Sequence, residues 1–158
     1  MEYQPVLPSL ALLYRVSITV DAPQLFGPTP QAAGERRIIN ITGGQFSGTR
    51  LSGRVLAGGA DWQVIRADGV AQLEARFTMQ TGDGALLYVR NFGFRHGPPA
   101  VIARLFSGEV VDPAAYYFRM TPLIETGAAR YAWLNSQILV GSGMRTKSHV
   151  IYDVYSVL

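Results

Sequence analysis

The sequence predicts an all-β protein, an antiparallel β-barrel of eight to ten strands with one short helix. Apolar residues recur mainly at every second position, the mark of strands with one buried face. The alternating runs are punctuated by glycine-containing turns. The third observation is size, because 158 residues suit one domain over 1–158, and a chain of this length buries roughly 70% of its unfolded surface. At 48% hydrophobic and 16% charged residues, the composition is that of a folding chain and far from the disordered regime. Closure into a barrel removes exposed edges and creates an interior, and a two-sheet sandwich is the competing architecture.

Each element follows from a local pattern. "LALLYRVSITV" (10–20) sets Leu10, Leu12, Tyr14, Val16, Ile18 and Val20 on one face of a strand, with Arg15, Ser17 and Thr19 on the other. Residues 21–34 hold three prolines and read as a covering loop. Further strands are expected at 36–42, 49–56, 61–66, 70–80 and 85–93. Asp-Gly at 68–69 and 83–84 marks hairpins, since glycine supplies the positive φ that such turns need. "GPPAVIARLFSG" (97–108) has prolines at its start, an apolar stripe of Val101, Ile102 and Leu105, and Gly108 as a C-terminal stop, so it is the one helix. Strands return at 115–121, 130–140 and 149–158.

Several function classes fall away. The formal charge is +3, and Arg36-Arg37 is the one adjacent basic pair inside an expected element, too diffuse a footprint for nucleic acid. There is no cysteine, hence no disulfide framework and no thiolate zinc site. Pro8 interrupts the apolar start of the chain, which lacks the pattern of a signal or spanning segment. The expectation is a cytoplasmic protein without a membrane partner. No P-loop, dinucleotide fingerprint, G-x-S-x-G elbow or H-E-x-x-H occurs, and the two histidines, His96 and His149, lie far apart. Neither a metal nor another cofactor is expected.

Candidate site residues are polar groups that interrupt apolar faces. The face Ala85, Leu87, Val89 continues to Asn91, and the face Tyr131, Trp133 continues to Asn135. A buried amide needs a partner, either backbone or a ligand. Along 73–80, Leu73, Ala75, Phe77 and Met79 oppose Glu74, Arg76, Thr78 and Gln80. Glu74 and Arg76 therefore point into the lumen if the apolar face packs outward, and into solvent if it packs inward. Asp61 beside Trp62 either shapes the turn after Gly58-Gly59 or enters the lumen, and Tyr117, Arg119 and Thr121 alternate with Phe118 and Met120 in the same manner.

"GERRIINITGGQFSG", "GRVLAGGADWQ", "LEARFTMQTGDGALLYVRNFG", "YYFRMTPLIETG", "YAWLN" and "YDVY" occur in this order. Together they resemble the bacterial and fungal family known as domain of unknown function 3237, from about Tyr14 to Val157. The chain departs from that pattern at Ala57, where proline is common, at Met120, and at Phe77, where tyrosine is common. The resemblance implies a β-barrel and an association of some fungal relatives with ring formation in natural-product pathways. It also shifts weight toward the lumen orientation, because the family motif includes the charged positions matching Asp61, Glu74 and Arg76.

The function expected from these readings is a cofactor-free isomerase, cyclase or lyase that moves protons on an enolisable, phenolic or polyketide-like small molecule. Asp61 or Glu74 would serve as acid or base, and Arg76 and Arg119 would stabilise developing negative charge. Trp62, Tyr88, Tyr117 and Trp133 would wall the site, with Asn91 and Asn135 orienting the substrate. The alternative is a non-catalytic carrier of lipocalin type with the same cavity. Strands such as "VIYDVYSVL", apolar on both faces, predict a homodimer that covers the outer wall.

Overall fold

The computed structural model describes residues 1–158. Ten strands form in chain order: β1 (Leu10–Val20), β2 (Gln24–Thr29), β3 (Gly34–Ser47), β4 (Ser52–Val55), β5 (Ala60–Ile65), β6 (Ala71–Thr81), β7 (Leu86–His96), β8 (Tyr117–Glu125), β9 (Leu139–Arg145) and β10 (His149–Val157). One α-helix, α1 (Pro99–Phe106), follows β7, and 3₁₀ turns occupy Pro113–Ala115 and Ala129–Ser136. No helix is long and apolar enough to cross a membrane.

All pairings are antiparallel, in the order β1-β10-β9-β8-β7-β6-β4-β3, and β3 pairs back onto β1 to close a barrel of eight staves. The two remaining strands are extensions. β2 pairs with β3 alone, and β5 continues the stave of β4 between β3 and β6. Both Asp-Gly hairpins form as three-residue loops, with Gly69 at φ 85° and Gly84 at φ 90°.

Four expectations need correction. Residues 24–29 are a strand within the segment read as a covering loop; Pro28 is tolerated there because β2 is an edge. Residues 129–136 form a 3₁₀ turn and not a strand: the Asn135 amide donates to the Thr126 and Ala132 carbonyls and accepts the Thr126 N–H, which folds "YAWLN" onto the end of β8. The register of β1 shifts between Leu12 and Tyr14, so Leu13 is buried while Leu10 and Leu12 are exposed. Finally, the apolar face of β6 packs inward, with Leu73, Phe77 and Met79 buried.

The lumen is divided along its axis. Met79, Leu87, Val89, Leu134 and Val154 are fully buried at one end, where they form an apolar floor. Toward the other end, β7 carries Asn91 and then Arg95 on the face that began with Leu87 and Val89, so the same stave turns from apolar to polar. The change of character is an alternation effect, since every second residue shares a face.

The β4-β5 stave carries a distortion that aims the site. Val55 pairs with Met79 and Ala60 with Arg76, so Leu56 to Gly59 lie opposite only Phe77 and Thr78. Such bulges re-aim the residues that follow them. A Cβ on Gly59 would sit 2.4 Å from the Arg76 carbonyl oxygen and 2.6 Å from Phe77 Cβ. A Gly59→Ala variant is expected to lose about 1–3 kcal/mol of stability through this overpacking, read as a lowered urea midpoint at unchanged m-value.

Candidate functional site

Asp61 and Gln63 are two residues apart on β5 and share its inner face, opposite Ile39 and Arg37 of β3. Asp61 Oδ1 accepts the Glu74 backbone N–H at 3.0 Å, and Oδ2 accepts Gln63 Nε2 at 2.8 Å. The carboxylate is held by these two bonds with no side-chain cation against it. The accessible part of Asp61 opens onto a small inner cavity of about 40 Å³ that also touches Asn91, Tyr152, Phe77 and Arg145. Burial raises its carboxyl pKa, against the opposing pull of the Gln63 hydrogen bond and the Arg95 charge.

Above this chamber lies the barrel mouth, a cavity of about 380 Å³ beneath α1. Arg37, Arg95 and Arg145 come to it from β3, β7 and β9, and Ile102 and Phe106 from the helix. The two cavities share Ile39 and Arg145, so the mouth continues into the chamber of Asp61. A volume of this size is in the range of small-molecule sites.

The guanidinium cluster is the unusual feature. Arg95 is only 7% exposed, yet neither it nor Arg145 has a carboxylate oxygen within 4.0 Å, and the six ion pairs of the chain lie elsewhere except for Arg37–Glu35 at 3.6 Å. Aromatic rings take part of the load: Arg37 Cζ is 4.5 Å from the Phe106 ring centroid, and Arg95 Cζ is 5.7 Å from that of Phe118. Burial, reinforced by repulsion from Arg145, pushes the Arg95 pKa down to about 10. Burial also lowers those of Arg145 and Arg37. Three enclosed polar atoms, Tyr14 Oη, Gln63 Oε1 and Asn91 Oδ1, have no hydrogen-bond partner in the protein, and Tyr152 Oη lies beside the Asn91 side chain in the inner chamber. Such atoms call for a bound water or a ligand group to meet them.

Of the residues singled out from sequence, Asp61 and Asn91 face the lumen and meet at the inner chamber. The rest lie outside it. Glu74 and Arg76 pair at 3.1 Å on the outer wall with both side chains about half exposed, because Leu73, Phe77 and Met79 claim the inner face of β6. Arg119 and Tyr117 point outward for the same reason, with Phe118 and Met120 buried between them. Trp62 and Tyr88 join Arg76 in a shallow outer hollow beside Gly58 and Gly59. Trp133 lies under the Arg50 guanidinium at 3.6 Å, and Asn135 commits its amide to the local backbone. Glu74→Gln and Arg119→Gln variants are accordingly expected to keep both the unfolding midpoint and any turnover of the wild type; a large loss of rate in either would return the chemistry to the outer wall.

Arg37, Gln63, Arg95, Arg145 and Tyr152 did not stand out in the sequence. A signal was present, since Arg37 alternates with Ile39 and Ile41, Arg95 lies four residues beyond Asn91, and Tyr152 precedes Val154 on one face.

Fold and site together define a closed antiparallel barrel with an apolar floor, a half-buried carboxyl group in its middle and a cationic mouth. The chain belongs to the DUF3237 family, described as a protein of unknown function, whose sequence pattern matches residues 8–157. A UPF0311 protein of Rhodopseudomonas palustris is 42% identical over 151 residues, covering 96% of this chain and 99% of that protein. The crystal structure of a conserved protein of unknown function from that organism superposes with a TM-score of 0.91 at 38% identity, over 98% of this chain and 100% of the other. A β-barrel-like protein of Acinetobacter baumannii gives 0.86 at 42% identity, covering 99% and 100%. An enzyme from Penicillium herquei shares the fold, with a TM-score of 0.73 at 20% identity and full coverage of both chains.

Proposed function

We propose that the barrel is an enzyme that moves a proton on an enolisable or phenolic small molecule, with Asp61 as acid and base and Arg145 as the charge that stabilises the oxyanion. The observation that carries this reading is the placement of Asp61: a half-buried, hydrogen-bonded carboxyl without an ion-pair partner, at the foot of a ligand-sized cavity whose shared wall is a guanidinium. A direct salt bridge would hold the carboxylate ionised and weaken it as a base; desolvation without such a bridge brings it closer to the pKa of a useful proton carrier.

In the simplest cycle, the carboxylate takes a proton from carbon next to a carbonyl. The C–H electron pair becomes the enolate, and its charge falls on oxygen near Arg145. The proton then returns to another carbon, giving an isomer, or the enolate pair forms a C=C bond as a β-substituent departs with its bonding pair and takes the proton from Asp61, as in a lyase. With a phenol that carries an enone, the O–H gives its proton to Asp61, the oxygen adds to the β-carbon, the C=C pair moves to the α-carbon as an enolate, and Asp61 returns the proton there, giving an isomeric ring. That the Penicillium herquei protein of this fold is an enzyme agrees with a catalytic use of the barrel.

The test is deuterium exchange into acylphenols and cyclic ketones in heavy water, followed by proton NMR, for the wild type and Asp61→Asn. Exchange that depends on Asp61 supports the reading. A ligand returned unexchanged and unaltered by the wild type would instead identify a carrier.

A further inference from the structure

We propose that the ligand of this barrel is an organic acid, whose carboxylate is received by Arg95 and Arg37 at the mouth while its apolar body lies along Ile65, Ile102 and Phe106, with Arg145 left facing the chamber of Asp61. This deepens the reading of the same cavity by naming a substrate class. It rests on that reading only in placing the reacting end of the molecule toward Asp61.

Charge points to an anion. Three guanidinium groups and two carboxylates line the two joined cavities, Arg37, Arg95 and Arg145 against Asp61 and Asp68, a surplus of one positive charge when Asp61 is ionised and two when it is protonated. Asp68 is already engaged by Arg66, so it pairs with none of the three. Glu35 stands 3.6 Å from Arg37 with half of its side chain in solvent, and it pairs with neither of the other two. Buried charges in proteins are ordinarily paired. Here the pairing partner of Arg95 is missing from the protein itself.

Geometry points to a carboxylate. Arg95 is more than nine-tenths buried, makes no side-chain hydrogen bond within the chain, and borders the mouth cavity. None of its nitrogens is among the fully enclosed polar atoms without partners, so its donors open onto that space. A guanidinium is a planar fork that matches a carboxylate with two parallel bonds. Phe106 and Phe118 hold Arg37 and Arg95 by their faces, which fixes orientation without consuming the N–H donors.

The walls require an organic body. Besides the arginines the cavity is bounded by Ile39, Ile65, Ile102 and Leu105. An inorganic anion would leave those surfaces without contact, whereas an organic acid satisfies charge and apolar wall together.

Calorimetric titration with benzoate, with its neutral isostere benzamide and with inorganic phosphate tests the assignment without requiring turnover. The wild type is expected to bind benzoate at least about tenfold more tightly than benzamide or phosphate. Arg95→Met is expected to abolish that preference, and Arg95→Lys, which keeps charge but loses the fork, to reduce it; circular dichroism verifies that both are folded. Arg104→Gln, at an exposed pair with Glu109 on α1, serves as the control that retains it. Equal binding of benzoate and benzamide, phosphate binding as tight as benzoate, or no benzoate binding at millimolar concentration overturns the proposal. Asp61→Asn separates the two readings. If it loses exchange activity but still binds benzoate, both stand. If benzoate fails to bind while exchange still depends on Asp61, the substrate class alone is wrong, and if benzoate binds while Asp61→Asn exchanges at the wild-type rate, the catalytic assignment alone is wrong.

Discussion

Asp61→Asn is expected to lower turnover by about 10²- to 10⁴-fold, the usual contribution of a positioned acid or base, and to make the folded protein more stable at neutral pH. The substitution is nearly isosteric and its hydrogen bonds survive. The introduced amide would still accept the Glu74 N–H, and its new donors would find Gln63 Oε1, an acceptor that has no partner in the wild type, once the Gln63 amide turns over. Stability follows from linkage. Burial holds the folded-state pKa of Asp61 above its ordinary value of 3.8, so the folded state resists losing the proton that the unfolded state gives up freely. Below about pH 4 both states are protonated and the group has no effect. As pH rises from there to the folded-state value, the wild type loses stability that asparagine cannot lose. Urea unfolding across pH 3 to 8 should show the two proteins converging in acid and diverging above it. A variant as active as the wild type, or one less stable at pH 7 than at pH 4 relative to it, would remove Asp61 from the chemistry.

The barrel was largely legible because its determinants are local. Alternation and two Asp-Gly turns placed the β5-β6-β7 meander, and Gly108 with Pro98 and Pro99 framed the helix. The site was legible in part, for a reason that β6 illustrates. Its pattern separates Glu74 and Arg76 from Leu73 and Phe77 without saying which set faces the axis, and closure of the barrel decided for the apolar set. Taken consistently, the same inward rule would have directed attention away from charges opposite an apolar face and toward charges within one: Arg37 ahead of Ile39 and Ile41, and Arg95 after Val89 and Asn91. The 3₁₀ turn at Ala129–Ser136 was hidden for a different reason. It depends on the Asn135 side chain capping backbone groups of Thr126, nine residues earlier, and alternation carries no record of such a contact.

Arg95→Met should raise stability at neutral pH by about 1–3 kcal/mol while removing the receptor for anions. Methionine keeps the aliphatic stem beside Phe118 and deletes a guanidinium that has no partner. The lowering of the Arg95 pKa to about 10 by burial corresponds to about 3 kcal/mol of strain in the charged, folded state, and replacing buried charge by apolar volume commonly stabilises by a similar amount. A base with a depressed folded-state pKa exacts its full penalty while both states are protonated, so the advantage of the variant should be constant from about pH 5 to 9. It should then shrink as pH passes through about 10 toward the unfolded value, where the wild type sheds the charge. An anion added to the wild type should act in the same direction by pairing the guanidinium, so benzoate is expected to raise the unfolding midpoint of the wild type and leave that of Arg95→Met unmoved. A variant that proved less stable than the wild type at pH 7 would mean that Arg95 is compensated within the barrel and serves the fold. A more stable variant that has lost benzoate binding would mark Arg95 as a residue retained for its ligand at the expense of stability.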